Sequence, residues 1–270
     1  MNKDIAYSRA QESLVNFHEV YPDNASSPIS LEVIERDRFL SRLIEIESNY
    51  PNKDDAKATM EDSFSGCDAA TIRKPDMNYV VVSFTPEDAE VYIAIRTYHE
   101  LAHIYSMAEQ DSEHPITDDM LKGDALVGFL FWKEFIADYI GLNALHHYLN
   151  RFAIDSDDAK YYIKENLHRI AKEYYLGNNS VVSGLANLIA FILNLDDYAQ
   201  NRSKVRIPIN RHTSSGVKAR GCISSILDIL QKQFETDSYM VINYDCLYSL
   251  GNLTIDTLLY LSDYADEHDW

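Results

Sequence analysis

The amino-acid sequence predicts a mainly α fold of α+β type, with a small β-hairpin or sheet ahead of one long helix and a helical C-terminal half. Three observations predict it. Apolar residues recur at three- and four-residue spacing over most of the chain. One stretch, 67–84, is instead rich in β-branched and aromatic residues. Only 9 Gly and 7 Pro interrupt 270 residues, of which 46% are hydrophobic, so long helices around a sizeable core are affordable.

Taken in order, the first 50 residues predict two amphipathic helices. The second starts after Ser30, carries Leu31, Ile34, Leu40, Leu43 and Ile44 on one stripe, and is closed by Pro51. Next, Ala70-Thr71-Ile72 and Tyr79-Val80-Val81-Val82 flank the turn signal Lys74-Pro75-Asp76, which predicts a hairpin. Thr85-Pro86-Glu87-Asp88 then supplies a threonine N-cap, a proline at the first helical position and acids at the positive end of the dipole. The helix it starts is expected to run to about Glu109. Pro115 interrupts, and Thr117 with Asp118 and Asp119 is expected to cap a second long helix to about Asn150, weakened near Gly123 or Gly141.

Beyond residue 155 the expected helices are 157–175, 180–199, 216–235 and 251–265. The apolar run Val181 to Leu195 is too short to span a bilayer and reads as a buried helix. Tyr239-Met240-Val241-Ile242 fits strand or buried helix equally. A division into an N-terminal part, 1–155, and a helical part, 156–270, or one domain in which the two pack together, follows from this order.

The formal net charge of -19 gives a field that repels phosphate backbones, so nucleic acid is not an expected partner. Lys204, Arg206, Arg211 and Lys218, within the basic segment Arg202 to Arg220, read as local charge balance, with an acidic peptide or substrate carboxylate as the alternative ligand. Cys67, Cys222 and Cys246 are odd in number and far apart, unlike a disulfide framework. The N-terminus lacks a signal-peptide pattern. A cytoplasmic protein without a membrane partner is the expectation.

The chemistry lies in His99-Glu100-Leu101-Ala102-His103. Histidines four apart on a helix share a face, so both can offer a ring nitrogen to one zinc ion. Glu100 beside them can take a proton from water that the metal acidifies while it polarises a scissile carbonyl. A chance occurrence of this pattern in such a chain is on the order of 2%. A catalytic zinc needs a third protein ligand, and Glu134 and Asp138, four apart on the next expected helix, are placed to supply it. One carboxylate can bind the metal while the other accepts the outer N–H of a ligand histidine.

His99-Glu100-x-x-His103 followed by Glu134-x-x-x-Asp138 resembles the gluzincin arrangement of thermolysin-type metallopeptidases. The resemblance covers about residues 79 to 145 and implies a zincin-like core, Glu134 as third ligand, Asp138 as partner of His99, and Glu100 as general base in peptide-bond hydrolysis with one zinc ion. His-Glu-Leu-Ala-His and Glu-Phe-x-Ala-Asp are also similar to the ImmA and IrrE group of zinc-peptidase-like proteins. The expected partner is a peptide or protein substrate, and the alternative is a catalytically inactive zincin-like binding or regulatory protein.

A rival ligand is Glu109, at the position where the metzincin pattern places its third ligand. That pattern needs a glycine where this chain has Ser106. His114, His146 and His147 read as exposed or packing residues. For stabilising an oxyanion, His168, His212, Tyr239, Tyr244 and Tyr248 are all downstream, and no spacing selects among them.

Overall fold

The computed structural model describes residues 1–21, 27–49, 55–64, 66–113, 115–149, 156–177, 180–195, 207–209, 212–234 and 241–267. They are mainly helical. Three strands among them form one sheet: β1 (Ile29–Glu35), β2 (Ala69–Arg73) and β3 (Asn78–Phe84), in the order β1-β3-β2. The helices are α1 (Lys3–Val20), α2 (Phe39–Ser48), α3 (Ala56–Phe64), α4 (Glu90–Glu113), α5 (Asp124–Leu149), α6 (Ser156–Tyr175), α7 (Val181–Asn194), α8 (Ser214–Phe234) and α9 (Tyr244–Glu267). Two compact units result, Met1–Ala108 with Ile140–Leu149, and Glu109–Tyr139 with Asn150–Trp270.

In the first unit the expected hairpin forms. β2 pairs antiparallel with β3 from Ala69 opposite Val82 to Arg73 opposite Asn78, and the Lys74 N–H closes the turn on the Met77 carbonyl at 3.0 Å. Central β3 has both faces covered. Val81 packs into a core with Phe39, Leu43, Ile46, Met60, Ala70 and Ile72, while Val80 and Val82, pointing the other way along the pleat, are equally buried. Lys74 Nζ meets Glu47 at 2.7 Å with both side chains nearly buried. α1 packs against β1 and β3; its Phe17 meets Tyr98 and Tyr105 of α4, each at a ring separation of 6.2 Å, and Tyr21, which caps it, meets Tyr105 at 5.4 Å.

Two local expectations in this unit are corrected. Residues 31–35, expected as the start of the second helix, belong to strand β1, paired parallel with β3 from Ile29 opposite Asn78 to Glu35 opposite Phe84. The helix begins only at Phe39, because pairing with β3 satisfies the backbone of a segment whose apolar residues fit either period. The long helix begins at Glu90 rather than Thr85 and runs past Glu109 to Glu113. Thr85 and Asp88 close a turn on each other, the Thr85 N–H donating to Asp88 Oδ2 at 3.0 Å and the Asp88 N–H to the Thr85 carbonyl at 3.2 Å. Arg96 takes the same Asp88 oxygen at 2.8 Å and reaches Asp68 at 2.9 Å, which in turn pairs with Arg36 at 2.6 Å.

In the second unit, α6 to α9 follow the expected order, α9 starting seven residues ahead of its expected position. The apolar run of α7 is buried as expected, and no described helix is long and apolar enough to cross a membrane. The expected cap at Thr117 forms only a turn, with the Met120 N–H on the Thr117 carbonyl at 2.9 Å. α5 begins at Asp124, after Gly123 takes a left-handed φ of 56° that a side chain would resist. Gly123 therefore precedes the helix instead of weakening it. Pro51, Tyr239, Met240 and the basic residues Lys204, Arg206 and Arg211 lie outside the described residues.

Two glycines let α5 and α9 cross at backbone contact. A Cβ at Gly128 would stand 1.9 Å from the Leu247 carbonyl oxygen, and one at Gly251 1.7 Å from that of Asp124. The last turn of α4 is held by a two-way amide contact: Gln110 Nε2 donates to the Ile242 carbonyl at 3.1 Å, and the Ile242 N–H donates to Gln110 Oε1 at 2.9 Å. The irregular segment 241–243 thus has both backbone polar groups of its central residue satisfied by a buried side chain.

Candidate metal centre

Helix α4 is anchored to the sheet at the turn that carries the histidines. Thr71 Oγ1 of β2 donates to the Glu100 carbonyl at 3.0 Å, and Arg96 one turn earlier donates to the Ser83 carbonyl of β3 at 3.0 Å. Buried Tyr98, Leu101, Ala102 and Ile104 fill the inner face. This leaves His99 and His103, four apart and half-buried, on one side, with ring centroids 4.6 Å apart and planes at 90°.

Gly141 of α5 lies against this same turn. A Cβ there would be 3.2 Å from the His99 backbone nitrogen and 3.3 Å from the Tyr98 carbonyl carbon. The absent side chain lets α5 approach α4 at the first histidine. Glu134 stands about two turns earlier on α5.

Ligand atoms of His99, His103 and Glu134 all lie within 4.8 Å of one another, and together these residues could hold a metal ion. Zinc bonds of about 2.0–2.1 Å in tetrahedral geometry put ligand atoms about 3.4 Å apart, a spacing within the 4.8 Å limit that the three ligand atoms meet. Two imidazole nitrogens and one carboxylate oxygen are a donor set suited to zinc. The donor set fits the group that the sequence implies. Lys133 Nζ stands 3.5 Å from Glu134 Oε1, a partly exposed neighbour pair that is weak.

The other expected residues fall as follows. Glu100 is buried on α4 beside His99. Asp138 is half-buried one turn beyond Glu134, and Tyr162 of α6 is pushed up by burial first and by the Asp138 charge second. Glu109 remains on α4, which continues as helix through Ser106, whose hydroxyl turns back to the His103 carbonyl at 3.5 Å. It stands about 9 Å further along the axis than His103, with no turn to return it. The metal group among the described residues contains Glu134 and not Glu109.

His168 lies half-buried on α6 and His212 exposed just before α8, while Tyr244 and Tyr248 are exposed on α9. His146 and His147 fall in the last turns of α5, where their side chains lie outside the description, and His114 is outside the described residues. Gly141 appeared in the sequence only as a weak point of a helix. The signal for its role was its place on the ligand-bearing helix, opposite a histidine turn.

Compared with known protein families, with curated proteins and with solved structures, the chain shows no significant match to any.

Proposed function

We propose that the chain is a zinc-dependent metallopeptidase of gluzincin type, a hydrolase of peptide bonds. The observation that carries the reading is the convergence of His99, His103 and Glu134 within 4.8 Å, from two different helices, with Glu100 next to His99 in the chain. Three protein ligands leave the fourth tetrahedral position open, the pattern of catalytic rather than structural zinc.

A zinc ion held there supplies Lewis acidity toward a substrate carbonyl and lowers the pKa of water. The chain's own residues do the rest. Glu100 accepts the proton of the attacking water and returns it to the leaving amine. Asp138 accepts the outer N–H of His99, which fixes the tautomer that turns the other ring nitrogen to the metal. The substrate is a peptide or a protein.

Metal analysis of the purified chain, paired with a casein or peptide-library assay, tests this. One zinc per chain is expected, lost in His103→Ala and Glu134→Ala and kept in Glu109→Ala. Glu100→Gln is expected to keep the metal and lose activity by roughly 100-fold or more. Wild-type protein without stoichiometric zinc overturns the reading. Zinc without Glu100-dependent cleavage turns it into a metal-binding protein that does not turn over.

A further inference from the structure

Helix α9 carries an exposed apolar stripe that the metal centre does not use. Tyr244, Tyr248, Ile255 and Leu259 are 41, 49, 36 and 43% exposed, and at 100° per residue they fall within about 60° of arc over about 22 Å, four turns of helix. The helix does not need them for its own packing, since Leu247, Leu250, Leu258 and Leu261 already form a buried face. Single exposed apolar residues are ordinary; here they stand as two pairs, Tyr244 with Tyr248 and Ile255 with Leu259, on either side of the turn where Gly251 meets α5, an arrangement of the kind that marks an interaction site. Along one edge of the stripe, Asp245, Asp256 and Asp263 are exposed and form a row about 100–120° round from Tyr244.

We propose that this face of α9 docks a basic amphipathic helix of a partner protein. Anchors at positions 244, 248, 255 and 259 have the spacing by which one helix reads the apolar face of another. The aspartate row selects the charge of the visitor, because lysine or arginine flanking its apolar residues meets three carboxylates. The same row opposes the other occupants. A second copy packed antiparallel about a two-fold axis sets aspartates beside aspartates, and an anionic membrane or nucleic acid meets both the row and the net charge of -19. The proposal is independent of the metal centre.

Synthetic helical peptides of about 18 residues, with leucines at matching spacing and either a Lys/Arg or a Glu flank, test it by calorimetric titration of the full chain. The basic peptides are expected to bind and the acidic ones not. Tyr248→Ser with Ile255→Ser is expected to weaken binding by roughly tenfold or more. Asp245→Asn, Asp256→Asn and Asp263→Asn together are expected to weaken it roughly tenfold at about 50 mM salt and much less at about 500 mM. Circular dichroism and the melting temperature verify that both variants keep the fold. Basic peptides that fail to bind, equal binding of both peptide classes, or affinities indifferent to both variants overturn the proposal. A concentration-dependent dimer abolished by Tyr248→Ser with Ile255→Ser assigns the face to a second copy instead, and stripe-dependent sedimentation with phosphatidylglycerol vesicles assigns it to lipid.

Discussion

Substituting alanine at Gly128 tests whether the α5–α9 crossing is set by backbone contact. The added Cβ would meet the Leu247 carbonyl oxygen at 1.9 Å and the Gly251 nitrogen at 2.9 Å. Carbon and oxygen settle near 3.3 Å, so the helices must part by more than about an ångström at the crossing. Radial gaps of about 0.5–1 Å already forfeit a quarter to a half of the dispersion at each contact. Around the contact, Leu247 and Leu250 on α9 and Ala125 and Phe131, one turn either side of Gly128 on α5, are fully buried. Both obstructing groups are backbone, so no change of rotamer relieves the clash. The expected cost is at the upper end for overpacking, about 3 kcal/mol, which lowers Tm by roughly 6–12 °C in a chain of this size. Gly221→Ala on α8 is the control. Nothing lies within 4 Å of its new Cβ, and helix propensity favours alanine by about 0.8–1 kcal/mol, so its Tm stays or rises. Thermal unfolding followed by circular dichroism reads both. Gly128→Ala melting within about 1 °C of wild type refutes a backbone-limited crossing.

Gly141→Ala places its Cβ 3.2 Å from the His99 nitrogen, a clash that a few tenths of an ångström relieves. Zinc affinity, measured by competition with a chelator, is expected to fall roughly tenfold while the far-ultraviolet spectrum is unchanged. For Asp88, burial acts upward on its pKa, but the hydrogen bonds from Arg96 and the Thr85 N–H outweigh it and hold the carboxyl below its ordinary value. A depressed native pKa stabilises above the unfolded value near 4 and is lost as pH falls through the native one. The difference in urea midpoint between wild type and Asp88→Asn is therefore expected to be constant at neutral pH and to shrink below about pH 4; a difference that grows on acidification contradicts the assignment. Lys74→Met leaves the buried Glu47 carboxylate without its 2.7 Å partner and is expected to cost about 3 kcal/mol in denaturant unfolding, most of it recovered by adding Glu47→Leu.

What was legible in the sequence was what depends on near neighbours. The hairpin was legible because Lys74-Pro75-Asp76 and its two β-prone flanks lie within sixteen residues, 69–84. The group that could hold a metal was legible in part, because His99 and His103 carry their helical spacing in the chain itself and Glu134 stands on the next helix. β1 was not, since Leu31 and Ile34 fit a helical stripe and only β3, distant in sequence, makes the segment a strand. Thr85 and Asp88 read as a helix cap because the residues that cap a helix also close turns; Arg96 and Asp68 decide between the two. Gly128 and Gly251 were missed because a glycine inside a helix looks like a local weakness until its partner helix is known. A glycine kept at a cost of about 1 kcal/mol within strong helix formers was the available signal.

The Gln110–Ile242 contact joins positions 132 residues apart, and this sets an order on biosynthesis. At about 5–20 residues per second, the polypeptide spends on the order of ten seconds between the emergence of one partner and the other. The Gly128 surface waits nearly as long for Leu247 and Gly251. During that interval α5 carries Phe135, fully buried in the folded chain, without Phe234 of α8, against which its ring stacks at 6.0 Å. A nascent chain in this state is a natural client for a holdase, and silent codon changes that slow translation between residues 140 and 240 lengthen its exposure.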